Sequence, residues 1–291
     1  MMVGLIIYEI TNIIYQYIQI IGGVIGIVSL IITFWYNRKL LHYNLQALQL
    51  YKKDREHPAI VELIRFFIVP LKEWFSDQMN KDTGEFKEFK IENLEVRPIN
   101  SNLVNKYTPQ SLSIPNLSIL YMHFIFLLKR FDSEKKLHLK NEWDEKVQEY
   151  NKLTGTLNKK LNELVDNVRK FLDENQDVKR VYNNTEANKK YDFDVFKKEL
   201  AENFYKQYRK SLSGTGLYDP WFYAGKEIFE QAILHNKPIL EEIEKLKEER
   251  KHILEKLISI LEQLQKQLRV EYDLTPSDQT SQISFIPPDI R

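Results

Sequence analysis

Cysteine is absent from the 291-residue chain, which excludes disulfides and thiolate-bound metal. Glycine and proline are scarce, at 9 and 10, too few for a turn-rich sandwich or barrel. An excess of one charge sign is missing as well: 42 Lys and Arg stand against 41 Asp and Glu, a formal +1. That balance gives no support for a nucleic-acid partner, whose binders carry a concentrated basic face, although a small local patch is compatible with it. No Walker A sequence, GxSxG elbow, HExxH pair or kinase signature occurs. The sequence therefore assigns no catalytic residue, cofactor or metal. What abounds is Leu, Ile, Lys and Glu, the composition of long helices.

Charge is missing altogether between Glu9 and Arg38. The centre of that run, Ile18 to Trp35, is mostly Ile, Val and Leu; eighteen helical residues cover roughly 27 Å, about one hydrocarbon core. The start lacks the basic residues of a secretory signal, and no small-x-small cleavage site follows. The run ends instead in Phe34, Trp35 and Tyr36, then Arg38 and Lys39, an aromatic belt backed by cations. The expectation is a single transmembrane helix over 13–36, the alternative being a buried core helix. Only Glu9 precedes the span, whereas Lys and Arg cluster after it. This predicts residues 1–12 outside the cell membrane and the C-terminal body in the cytoplasm.

Gln19, Gly22, Gly26, Ser29 and Thr33 follow one another at steps of 3, 4, 3 and 4, on one face of that helix. Helices in lipid associate through close backbone approach and interhelical hydrogen bonds, which small and polar residues permit. The same face continues beyond the span as Tyr36, Leu40, Tyr43, Ala47 and Leu50, turning largely apolar where water replaces lipid. These ten residues form the expected seam of a parallel homo-oligomer. Leu41, Leu45 and Leu48 make a second stripe, which fits a helix docked on its own domain.

After juxtamembrane helices over 37–76, with a break before Pro58 and a kink at Pro70, a polar irregular segment is expected over 77–116, with room for a short ordered piece around 86–96. A helical bundle over 117–271 follows. The apolar stretch from Asn116 to Phe131 reads as its buried centre, or else as a helix in the membrane interface ending at Lys129 and Arg130. Two later stretches repeat apolar residues at alternating steps of 4 and 3, from Trp143 to Phe171 and from Ile239 to Leu264. That is coiled-coil-like packing, and each stripe has one polar interior position, Thr154 or Arg250, of a kind that sets register. Leu240, Leu254, Leu261 and Leu268 widen the second stripe beyond what a two-stranded coil uses, which favours a multi-helix bundle. A flexible tail is expected over 272–291.

Isolated chemical cues read more simply as structure. Glu249-x-x-His252 has no second copy and lies among charges; His123 sits alone on the most apolar helix of the body; Trp221, Phe222 and Tyr223 belong with packing. Two glycosylation patterns, at Asn116 and Asn183, fall on the side predicted to be cytoplasmic. The fold class is thus all-α, one transmembrane helix followed by a cytoplasmic bundle with long coiled-coil-like helices. Its role is expected to be a non-enzymatic scaffold, assembly or signal relay that binds protein partners through its helices. A membrane-perturbing effector, or an enzyme with an unrecognised site, is the alternative.

Overall fold

Two prolines stand within the first helical stretch, and the backbone treats them differently. Helix α1 (Met2–Leu63) passes straight through Pro58, where the sequence predicted a break near Glu56. A proline inside a helix costs about 3 kcal/mol; Ile60 and Leu63, fully buried just beyond it, offset that cost. At Pro70 the chain widens instead into a π turn, Ile64–Ile68, whose closing bond runs from the Val69 N–H to the Ile64 carbonyl. Pro70 has no N–H for the carbonyl four residues back, and the wider turn makes room for its ring. Helix α2 (Val69–Asn80) then continues.

The computed structural model of the chain describes residues 2–91, 94–98, 116–214, 219–276 and 283–286; for 2–28, 49, 95–98, 219 and 283–286 it describes the backbone alone. Two compact units result, Met1–Ala59 and Ile60–Arg291. The first is helix α1 short of its last four residues. Among the described residues no helix is long and apolar enough to cross a membrane. The side chains of 13–28, most of the expected span, lie outside them.

The second unit is a helical bundle. After α2 come strand β1 (Glu95–Pro98), α3 (Leu117–Lys135), α4 (Leu139–Glu174), α5 (Gln176–Asn184), α6 (Ala187–Lys190), α7 (Phe193–Leu212), α8 (Asp219–Ala224), α9 (Lys226–His235), α10 (Lys237–Tyr272) and strand β2 (Ile283–Ile286). The bundle begins earlier than the sequence predicted, because the π turn and α2 sit in its core rather than in a juxtamembrane extension. The two strands form an antiparallel ladder with Glu95 opposite Ile286 and Pro98 opposite Ile283. β1 overlaps the end of the short ordered piece allowed around 86–96 in the 77–116 segment, while β2 lies in the 272–291 tail, where no element was expected. Neither stretch signals a strand by itself, since a ladder takes its bonds from the partner chain segment.

Helices α4 and α10 are the two heptad stretches, and they run antiparallel: Thr154 meets Arg250 and Lys160 pairs with Glu242 at 3.0 Å. Their shared core has two lobes. One gathers Phe67, Phe75, Phe124, Trp143 and Leu257 from the π turn, α2, α3 and the facing halves of α4 and α10. The other gathers Leu164, Phe196, Phe204, Trp221 and Ile243 from the remaining halves with α5 and α7 to α9. The wide stripe of α10 is used in full, Leu240, Leu254, Leu261 and Leu268 all being buried.

Helix α3 departs from the expected buried centre. Leu120, Phe124, Leu127, Leu128 and Phe131 are buried, but Ile119, Met122 and Phe126 on the opposite face are exposed. Arg130 is committed to the bundle through an ion pair to Glu271 at 2.6 Å and a hydrogen bond to the Tyr272 hydroxyl.

Candidate functional site

The segment between α2 and β1 is too polar to form a helix of its own, yet residues 81–90 are held in place as an extended strap. Gly84, at φ 88°, turns the chain into it, a backbone conformation that costs a side-chain-bearing residue about 1 kcal/mol or more. Two asparagines of α4 then grip its backbone. Asn158 accepts from the Phe86 N–H at 3.0 Å and donates to the Phe86 carbonyl at 2.7 Å. Asn151 does the same at Phe89, at 2.7 and 3.0 Å. A backbone N–H needs an oxygen and a carbonyl needs an N–H, so the partners fix which way each amide points.

The spacing is what makes the double grip possible. Seven helical residues separate the asparagines, about 10.5 Å; three extended residues separate the phenylalanines, about 10 Å. Helix and strap keep step over that distance, running in opposite directions. Gly155 lies between the two grips, where a Cβ would come within 3.6 Å of the Glu88 carboxylate. Phe86 and Phe89 are buried, one in each lobe of the core.

A polar layer lies beneath the strap, where the two lobes meet. Arg250, 3% exposed, donates to the Gln78 carbonyl at 2.9 Å, the Tyr150 hydroxyl at 2.9 Å and the Thr154 hydroxyl at 3.4 Å. Its guanidinium also stacks over Phe86 at 4.8 Å. Tyr150 passes the contact on, donating to the Lys87 carbonyl of the strap at 2.8 Å. Burial raises the Tyr150 phenol above its ordinary range, with the charge of Arg250 working against that rise. Among the described residues no carboxylate pairs with Arg250; its positive charge is solvated by neutral oxygens.

The start of the strap is anchored by charge. Asp82 meets Arg209 of α7 at 3.0 Å and Lys247 of α10 at 3.2 Å. Partial burial works to raise the Asp82 pKa, but Lys247 and then Arg209 hold it below the usual carboxylate range. Arg209 also pairs with Glu244 at 2.8 Å, which accepts from the Tyr205 hydroxyl at 2.9 Å. Burial first, and the Glu244 charge second, push the Tyr205 phenol well above its normal range. A cleft of about 310 Å³ opens between Lys81, Lys247, Arg250 and Lys251.

Of the expected seam, Ser29, Thr33, Tyr36, Leu40, Tyr43, Ala47 and Leu50 are all exposed on α1. The side chains of Gln19, Gly22 and Gly26 lie outside the described residues. Thr33 donates back to the Ser29 carbonyl at 2.8 Å, which leaves its oxygen free to accept. Lys39 reaches back over the Trp35 ring at 5.2 Å. Leu41, Leu45 and Leu48 of the second stripe are exposed as well.

The remaining cues are used structurally. Glu249 pairs with Lys245 and His252 with Glu255 on the surface of α10. Trp221 is buried and donates to the Leu200 carbonyl, while Phe222 faces outward. Asn116 caps α3 through the Ser118 N–H, a structural use of its sequence pattern. A short ordered piece around 86–96 was expected at most; its attachment to α4 through Asn151 and Asn158 was not foreseen. The available signal was Asn151 and Asn158 at one heptad position beside an aromatic pair three residues apart. No family model, curated protein or solved structure matches the chain.

Proposed function

We propose that the chain is a single-pass membrane protein that assembles as a parallel homo-oligomer through α1 and offers its helical bundle to protein partners as a scaffold or signal relay. The observation that carries the reading is the exposed apolar face of α1. Tyr36, Leu40, Tyr43 and Leu50 are between 46 and 62% exposed, in a unit that contains no other element to cover them. A lone helix cannot bury such a face within itself. Burying a leucine is worth about 1.5–3 kcal/mol, so a second copy in register is a strong candidate to cover it. The uncharged run from Ile18 to Trp35, followed by Arg38 and Lys39, supports lipid as the solvent of the preceding part. The exposed Leu41, Leu45 and Leu48 widen the face beyond a two-stranded seam and favour more than two copies.

The test uses single cysteines, since no native one interferes. In native membranes Gly22→Cys, Gly26→Cys, Leu40→Cys and Ala47→Cys are expected to cross-link, whereas Ile25→Cys and Ile32→Cys are not. Equal cross-linking on all faces, or recovery of the protein in the soluble fraction, rejects the reading. A membrane-perturbing effector is the second reading, favoured by exposed Ile119, Met122 and Phe126 on α3. It predicts loss of membrane potential on induced expression, and an unchanged potential with normal growth removes it.

A further inference from the structure

We infer that the cleft at the foot of the strap binds a small phosphate-bearing anion, held by Lys81, Arg250 and Lys251. The inference is independent of the membrane reading and rests on how the charges around this cavity are paired. Five cations line it against three carboxylates. Two of the carboxylates are already engaged, Asp82 by Arg209 and Lys247 and Glu244 by Arg209. Lys81 donates to a backbone oxygen, the Glu85 carbonyl, and among the described residues neither it nor Arg250 nor Lys251 pairs with a carboxylate. The third carboxylate of the lining is Glu248.

Three cations outside any ion pair of the described residues around one cavity are costly, and most so for Arg250, because burial removes the water that would screen it. Lys81 registers the crowding. Burial first, then the neighbouring charges of Lys87 and Arg250, hold its ammonium below the ordinary range, against the opposing charge of Glu85. A bound anion offsets the repulsion among these cations directly. Lys81 and Lys251 supply mobile point-charge donors for a phosphate, and Arg250, whose fork is turned to Gln78, Tyr150 and Thr154, adds its positive charge behind them. The volume, about 310 Å³, equals the space of about ten water molecules. That suits pyrophosphate or the phosphate end of a metabolite and is too small for a nucleic-acid strand. The walls come from α2, the strap, α7 and α10, so an occupant ties the foot of the strap to the bundle.

The test is titration calorimetry of the full chain in detergent, with pyrophosphate, adenosine monophosphate and inositol trisphosphate as probes. Wild-type protein is expected to bind at least one of them with a Kd of about 1 mM or tighter. Lys81→Gln and Lys251→Gln, which do not touch the Arg250 layer, are each expected to weaken binding about tenfold, the scale of one charge-assisted contact. Lys226→Gln, a surface cation elsewhere, is expected to leave it unchanged. Preference for inositol trisphosphate assigns the anion to a lipid headgroup; preference for either other probe assigns it to a soluble metabolite. No binding by any probe, or binding that both lysine variants retain in full, overturns the inference.

Discussion

Arg250 of α10 donates to the hydroxyl of Thr154 on α4 at 3.4 Å, and these are the two polar residues that interrupt the heptad stripes of their helices. Their meeting sets the antiparallel register, because sliding either helix by a turn puts a guanidinium against leucine. It also divides the apolar core into its two lobes. Arg250→Ala is expected to cost about 2–5 kcal/mol, since it leaves a void and strips a donor from Gln78, Tyr150 and Thr154. Arg250→Met refills the volume without burying charge and is expected to lose less than half as much. Chemical denaturation of both variants checks the pair; wild-type stability in Arg250→Ala refutes the register role.

The strap is held by hydrogen bonds whose loss can be read one residue at a time. Asn151→Ala and Asn158→Ala each remove two bonds to partly buried backbone, an expected loss of about 1–3 kcal/mol. Hydrogen exchange should accelerate at the Phe89 amide in the first variant and the Phe86 amide in the second. Unchanged protection at both amides counts against the grip.

Gly155 offers the opposite sign. It stands inside α4, and an added Cβ meets only ordinary van der Waals contact. Gly155→Ala is therefore expected to stabilise the chain by about 0.5–1 kcal/mol through helix propensity. Destabilisation would mean that the strap lies closer to α4 than the 3.6 Å approach of Glu88 implies.

Asp82 tests charge against hydrogen bonding. Its partners hold its pKa down, so the stability it contributes is present above the unfolded value and fades as pH falls through the lower folded one. The carboxylate is largely exposed, and pairs of this kind contribute less than about 1 kcal/mol. Asp82→Asn should thus cost less than either asparagine variant near neutral pH. The difference from wild type should close in strong acid, and melting curves across pH would show it.

Two of the buried phenols act at the other end of the scale. Tyr205 and Tyr150 have raised pKa values, so their contribution is complete below the unfolded value near 10 and is lost as pH rises through the folded one. Phenolate absorbance should show groups that ionise late, only as the fold opens. Tyr205→Phe should reduce the amplitude of that late step and leave the part due to Tyr150; a titration unchanged by the substitution contradicts the burial assigned to this side chain.

The amino-acid sequence alone determined the long elements and their faces. Heptads over α4 and α10 persist whatever they pack against, because a helix of 3.6 residues per turn lines up every third and fourth side chain. Thr154 and Arg250 stand out for the same reason, as breaks in a period, and the alignment of Ser29, Thr33, Tyr36, Leu40 and Tyr43 along α1 follows from that period too. Tertiary structure alone decided which helices became neighbours, how Pro58 was tolerated, and that a polar stretch became a strap. The asparagines and the phenylalanines they grip are more than sixty residues apart, and β1 finds β2 across almost the whole bundle sequence. Contacts of that kind leave no local period to read: each residue looks solvated in its own segment until the folded core brings its partner within hydrogen-bond reach.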